Sequence, residues 1–489
     1  MIRNTTTDPV PLANVIKKTE YTYDSINFGN FSAVKEWYYY TGTPPATPDR
    51  ETDYAYVTDP AYSAKDIHDR VTSITVKNAA GTQLSQTLTS YDSGTLTSIT
   101  GITHHDDTNF GTANTVRGNP TQVQRWVSGT FYLTSSMTYD TTGQIKTLTN
   151  PRGHTHTYVY TDTFFTDSTP PANPPTAYTP AVPTNAYVTQ IILNETQGSG
   201  SNWFGYYFNT GKRAYEGDVN LAKVFHHFLD PLDRETHTYD RLLINGTRGW
   251  TLNVYTSATL TDTYKGITDT TVSASCVSCR HDQRTLDTFG RAINSTLAND
   301  PGGAVKVDTG FDNNDRVQTQ SNPYRSTTDP TYGIETSAYD GLDRVISQTH
   351  ADGNLAHTYF GPDVSGGGGA ASQLCSTTTY GFGYPILTVD EAGKKLQQWV
   401  NAFNSIIEVD EPDSTNAMTL GTCYAYDTLQ NNTGIVQAAE TRSYSYDGIS
   451  RQTSATEPES GTTNYFYTAA DGSICSGADD ICRRPMRAG

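Results

Sequence analysis

Polar and apolar residues alternate by twos along this chain, yet neither side of the alternation is oily. In His154-Thr155-His156-Thr157-Tyr158-Val159-Tyr160, His and Tyr fall on one face of an extended strand and Thr and Val on the other. Segments of the form Tyr-x-Tyr recur, and aromatic and β-branched residues favour a pleated sheet. Such strands run into Asp, which opens a turn by accepting a backbone N–H two residues on. The result is a six-residue unit: an aromatic or apolar residue, Asp, two residues, then Gly, Asp or Ser, then Arg. It reads Leu229-Asp230-Pro231-Leu232-Asp233-Arg234, Leu286-Asp287-Thr288-Phe289-Gly290-Arg291 and Phe311-Asp312-Asn313-Asn314-Asp315-Arg316. It returns as Tyr339-Asp340-Gly341-Leu342-Asp343-Arg344 and Tyr446-Asp447-Gly448-Ile449-Ser450-Arg451, with a degenerate copy, Lys65-Asp66-Ile67-His68-Asp69-Arg70. Tyr139-Asp140-Thr141-Thr142-Gly143-Gln144 and Tyr426-Asp427-Thr428-Leu429-Gln430-Asn431 lack the Arg.

After the Asp, the unit needs a left-handed residue. Gly143 and Gly290 supply it; elsewhere Asp69, Asp233, Asp315, Asp343 and Asn431 do so, and Ser450 is the poorest fit. These substitutions assign the aspartates to turns rather than to catalysis. Half a unit later comes a second turn, as in Asn150-Pro151-Arg152-Gly153, Ala351-Asp352-Gly353-Asn354 or Glu391-Ala392-Gly393. Tyr139 to Tyr160 spans 160 − 139 = 21 residues and Tyr339 to Tyr359 spans 20. Two strands of ~5–8 residues and two short turns fill that length, so each repeat is a β-hairpin. The expected fold is all-β: sequential antiparallel hairpins in one long, coiled sheet, one layer thick. Arg70, Arg234, Arg291, Arg316, Arg344 and Arg451 then stack in register, each against a neighbour's Asp or Tyr.

Two segments interrupt the array. The Pro-rich run from Ser168 to Pro183 reads as an extended loop, and Gly366-Gly367-Gly368-Gly369-Ala370-Ala371 as a flexible connection. The expected organisation is repeat array 1–166, loop insertion 167–186, array 187–360, Gly-rich connection 361–371 and array 372–489. The single helix candidate, residues 220–228, reads equally well as a strand.

Composition sharpens this picture. Hydrophobic content is 35% and charged content 17%, both below the usual ~45–50% and ~25%. Low hydrophobicity with a net charge of −18 points towards disorder, but 33 Tyr argue for an ordered sheet whose rings stack while their hydroxyls stay wet. The acidic balance makes nucleic acid a poor partner. No segment is apolar enough to span a membrane, and no signal peptide precedes the repeats.

Tyr-Asp-x-x-Gly-Arg units separated by Tyr-x-Tyr strands, from Tyr21-Thr22-Tyr23-Asp24 to Asn464-Tyr465-Phe466-Tyr467, are similar to those of the YD-repeat (Rhs, "rearrangement hot spot") family. The resemblance implies a non-enzymatic scaffold: a sheet wound into a shell that encapsulates and helps deliver a C-terminal toxin. The parent protein would then be secreted or at the cell surface, with its own flanking repeats and the toxin cargo as partners. The family's self-cleavage motif, of the kind Asp-Pro-x-Gly-Leu, has no counterpart; Asp230-Pro231-Leu232-Asp233 is a repeat turn. The uncapped array reads as a piece of a longer protein, with raw edges on its first and last strands. The alternative is a surface adhesin or carbohydrate-binding protein, with Trp203, Tyr206, Tyr207, Trp250, Trp399 and Tyr38-Tyr39-Tyr40 as platforms for glycans.

The remaining chemistry is sparse. Of six cysteines, Cys475 and Cys482 are spaced to close a hairpin disulfide; Cys276 and Cys279 fit a disulfide, free thiols, a metal site or a redox pair. His104-His105-Asp106-Asp107 suits a polar loop, and His154 and His156 share a face without a third ligand. No nucleophile elbow, phosphate loop, zinc-protease motif or dinucleotide fingerprint occurs. No cofactor, metal or catalytic residue is assigned.

Overall fold

Thirty-four strands, most of them five to ten residues long, make up nearly all of the regular structure among the described residues of this computed structural model. It describes residues 2–7, 15–24, 29–169, 171–195, 198–220, 222–242, 248–266, 272–275 and 278–467. Each strand pairs antiparallel with the next in chain order, from Ile2–Thr7 against Ile16–Tyr23 to Gln452–Glu457 against Gly461–Asn464. One exception breaks the sequence: Thr155–Val159 pairs with Gln190–Glu195, skipping the small hairpin Phe164–Thr166 and Thr176–Tyr178. That hairpin attaches sideways, with Phe164–Thr166 running parallel to the end of Gly198–Tyr207. The candidate helix contains a strand, Lys223–His227. Helix among the described residues is limited to the four-residue turns Pro60–Ser63 and Thr377–Tyr380 and a 3-10 turn, Gly361–Ser365.

Antiparallel alternation puts all six-residue units on one rim of the sheet, here the motif rim. The second turns, such as those at 150–154, 350–354 and 390–394, lie on the opposite rim. The sheet winds until one rim meets the other. Lys17 Nζ donates to the Ala402 carbonyl at 2.9 Å across 385 residues, and the Tyr38 hydroxyl to the Thr428 carbonyl at 3.3 Å across 390. The Gly448 N–H donates to the Val127 carbonyl at 2.9 Å. In every case a motif-rim turn of the late repeats sits on the opposite rim of the early ones. Phe403 is the centre of this seam: Tyr38 meets it edge-on at 4.7 Å, and Lys17 and Arg50 each lie 4.7 Å from its ring centre. The described chain thus makes slightly more than one circuit. The sheet is not closed: Ile2–Thr7 and Gly461–Asn464 each have a strand neighbour on one side only among the described residues.

Most strand residues are half-buried on both faces, as a single layer requires. Apolar cores form where insertions lie over a face. Tyr215, Phe225, Tyr239, Trp250 and Leu252 pack with Phe165 of the side hairpin and with buried Cys279. Val364 of the insertion 361–383 packs on Leu387 and Met418 of the sheet. The stretch read as a flexible connection belongs to that packing. A Cβ on Gly367 would fall 2.6 Å from the Tyr359 ring, and one on Gly369 2.4 Å from Gln397 Oε1. The glycines there make room for close contact rather than for motion.

Candidate functional site

The six-residue unit folds as a three-residue turn with a bulge. In Asp312-Asn313-Asn314-Asp315-Arg316 the Asp312 N–H donates to the Arg316 carbonyl at 2.9 Å and the Asp315 N–H to the Asp312 carbonyl at 3.2 Å. Asp312 Oδ1 accepts the N–H groups of Asn314 (2.8 Å) and Arg316 (3.0 Å), as an Asx turn requires. The chain then needs one left-handed residue to re-enter the sheet. Asp233, Asp315, Asp343 and Ser450 take it at φ 58°, 65°, 62° and 65°, and Gly143 and Gly290 at 87° and 82°. Asn431 does not: Gln430 holds the left-handed position, at φ 66°. Asn431 stands where the Arg stands elsewhere, donating Nδ2 to Asp427 at 2.8 Å. Asp69 is not left-handed either. The turn Pro60–Ser63, capped by Asp59, enlarges this connection, and Asp66 ends it at φ 57°.

The arginine completes each unit twice over. Its Nε returns to the unit's own Asp: Arg234 to Asp230 (2.8 Å), Arg291 to Asp287 (2.7 Å), Arg316 to Asp312 (2.7 Å), Arg344 to Asp340 (2.6 Å) and Arg451 to Asp447 (2.7 Å). Its guanidinium then lies over the aromatic ring that ends the next hairpin. These are Tyr255 for Arg234 (3.7 Å), Phe311 for Arg291 (4.4 Å), Tyr339 for Arg316 (4.6 Å), Phe360 for Arg344 (4.0 Å) and Tyr467 for Arg451 (4.1 Å). Arg291 and Arg316 also reach forward to Asp315 and Asp343. Where the next ring is Tyr, its hydroxyl donates to the carbonyl just after the preceding arginine: Tyr255 to Glu235 (2.9 Å), Tyr339 to Val317 (2.6 Å), Tyr467 to Gln452 (2.8 Å). Tyr, Asp and Arg therefore form one ladder along the rim. Arg70 stands apart, donating to the Gly118 carbonyl at 2.9 Å and to Asp69 at 2.6 Å.

Charge follows this geometry. Arg234 holds Asp230 well down, at about 2. Burial works against ionisation of Asp312, but the Arg316 N–H and guanidinium outweigh it and keep the group below the ordinary carboxylate range.

Asp140 is fully buried. Its turn lies beneath two insertions that expand neighbouring motif-rim turns. In the first, residues 93–118, the Ile99 N–H donates to Thr141 Oγ1 at 2.9 Å and His105 Nε2 meets the Thr141 carbonyl at 3.1 Å. The second contributes Asn185, whose Nδ2 reaches Asp140 Oδ2 at 3.3 Å. His105, from the polar run 104–107, pairs with Asp107 at 2.7 Å.

Three features were invisible to motif reading. Cys375 and Cys423 form a disulfide with Cα atoms 5.8 Å apart. Glu408 and Asp410, two positions apart on one strand face, are both fully buried with no cation partner among the described residues. His227, fully buried, bonds Asp167 at 2.7 Å through Nδ1, and its Nε2 has no partner among the described residues. The separations 423 − 375 = 48 and 227 − 167 = 60 explain the silence of the sequence for two of them. Cys279 is disulfide-bonded; Cys276, Cys475 and Cys482 lie outside the described residues. No group of three His, Cys, Asp or Glu suited to a metal occurs among the described residues.

Four of the rings weighed as sugar platforms are buried and the other four, Tyr38, Tyr39, Trp203 and Tyr206, are half-buried. Trp250, Trp399, Tyr207 and Tyr40 are buried, Tyr206 stacks on Tyr187 at 4.5 Å, and Tyr38 belongs to the seam. An open cleft of about 430 Å³ along the seam is lined by Trp126, Phe131, Tyr446, Arg451 and Tyr467.

No family model and no curated protein matches the chain. Among solved structures it is similar to the crystal structure of TcdB2-TccC3 without its hypervariable C-terminal region. Identity is 11% over 96% of this chain and 24% of that one, with a TM-score of 0.38. It is also similar to the Photorhabdus luminescens Tc holotoxin pore carrying a TccC3 mutation, at 13% identity, covering 86% of this chain and 26% of that one, TM-score 0.31. A porin-like protein from Bacteroides uniformis matches at 10% identity over 72% of this chain and 92% of its own, TM-score 0.13. The chain spans about a quarter of the length of these two Tc toxin chains.

Proposed function

We propose that this chain is a non-enzymatic scaffold, a stretch of a wound shell that encloses a toxic C-terminal domain of its parent protein and helps deliver it. One observation carries the reading: the sheet passes a full circuit and seats its motif rim on its own opposite rim at Ala402, Thr428 and Gly448. A wall built this way grows by adding repeats, and a sheet that winds onto itself is the architecture that enclosing a cargo would need. On this reading the parent protein is exported and the partners are its further repeats and its cargo. The burial of Trp250, Trp399, Tyr207 and Tyr40 gives the adhesin alternative little support.

Limited proteolysis of the chain expressed with its natural flanking sequence tests the proposal. The segment following the repeats should resist protease while the sheet is folded and become cleavable once it unfolds. Equal cleavage in both states would overturn the enclosing role.

A further inference from the structure

The buried carboxyl pair Glu408 and Asp410 lies under the insertion 361–383, against three elements. From the insertion, Glu408 accepts the N–H groups of Leu374 (2.5 Å) and Cys375 (3.2 Å) and the Gln373 amide (3.3 Å). From the strand Lys395–Val400, Trp399 donates its indole N–H to Asp410 Oδ2 at 2.8 Å. From the strand Met418–Tyr426, Cys423 faces Glu408 and Gly421 faces Asp410 in register. The titratable groups here are the two carboxyls alone: Cys375 and Cys423 are joined to each other, and no Lys, Arg or His among the described residues pairs with either acid.

Two ionised carboxylates cannot share such a place, because burial removes the water that would screen them. One atom shows how the conflict resolves. Asp410 Oδ1 is buried and has no hydrogen-bond partner among the described residues. Glu408 already has three donors, so its oxygens are arranged for a charged carboxylate. A proton on Asp410 Oδ1, donated to Glu408, satisfies both groups.

We propose that Glu408 and Asp410 hold one proton between them, and that this proton latches the insertion 361–383 onto the sheet. With it, Glu408 stays inside and grips the backbone of Leu374 and Cys375. Without it the two charges repel, and when Glu408 swings out to water the insertion loses its buried acceptor. The disulfide beside the pair keeps the released segment tethered. Burial and the neighbouring Glu408 both raise Asp410, to about 8, in agreement with this arrangement. The sign follows from linkage: a carboxyl whose folded value lies above its unfolded one near 4 stabilises the closed form at low pH. That contribution is lost as pH rises towards 8, so the latch is tightest in acid. The inference is independent of the scaffold reading.

Hydrogen–deuterium exchange of the peptide covering residues 372–383 is the test, with rates corrected for the intrinsic effect of pH. Opening should grow about tenfold per pH unit between pH ~5 and ~8, then level off. Asp410→Asn, whose amide donates to Glu408 without a titrating proton, should flatten that profile. A profile already flat in the wild-type chain would overturn the proposal. Infrared spectroscopy of the wild-type chain gives a second route should the variant not fold. A protonated carboxylic acid band present at pH 6.5 and lost above pH ~8 is expected; its absence at pH 6.5 would also overturn it.

Discussion

At the scale of the residue, one backbone conformation decides which side chain fits. Gly290 sits at φ 82° with nothing within 4 Å of the place a Cβ would occupy, so any cost of Gly290→Ala is conformational. The variant should lose about 1–2 kcal/mol in chemical denaturation. Ser450, at φ 65°, is the converse case, and Ser450→Gly should gain about 0.5–1 kcal/mol. The turn carboxylates set the acid limit. Arg234 holds Asp230 at about 2, and the hydroxyls of Thr415 and Thr419 with two backbone N–H groups bring Asp413 to about 2. Both values lie below those of the unfolded chain, so their stabilisation is complete above pH ~4 and is lost as pH falls from ~4 to ~2. An acid titration followed by circular dichroism should show that loss, and Asp413→Asn should make it shallower.

At the scale of the element, the hairpin was readable because its determinants are local. Asp, a left-handed residue and an alternating strand all lie within a few positions of each other, so the turns at Asp312 and Asp340 could be placed from sequence. Where a unit is degenerate the reading slipped. Asn431 looks like a left-handed residue but replaces the arginine, and the connection ending at Arg70 hides an extra helical turn behind a similar string. The arginine's ring partner lies sixteen to twenty-three residues on, beyond any fixed spacing, and follows only once the hairpins are paired. Contacts that join insertions to strands left no trace. The Cys375–Cys423 bridge closes a 48-residue separation and ties the insertion 361–383 to the sheet. By loop-closure entropy its loss is worth about 4 kcal/mol. Reduction, or Cys423→Ser, should lower the denaturation midpoint accordingly; an unchanged midpoint would mean that the reduced chain is held equally well by the packing around Leu387.

At the scale of the molecule, a single layer of half-buried strands gains stability from ladders and insertions, and its shape from the seam. Phe403 concentrates that seam, since two cations and Tyr38 share its ring. Phe403→Ala should cost about 2 kcal/mol and expose the turn 401–405 to protease before the hairpins themselves unfold. The wound sheet is the claim on which the proposed role depends. The most direct measurement is the distance between spin labels at Ser128 and Ser450, exposed positions flanking the contact between Val127 and Gly448. More than twenty strands separate them along the sheet, and at ~4.8 Å per strand an unwound array would set them roughly 100 Å apart. Double electron–electron resonance should give a single short distance, as neighbours across the seam require. A broad distribution near the unwound value would contradict the winding and, with it, the shell.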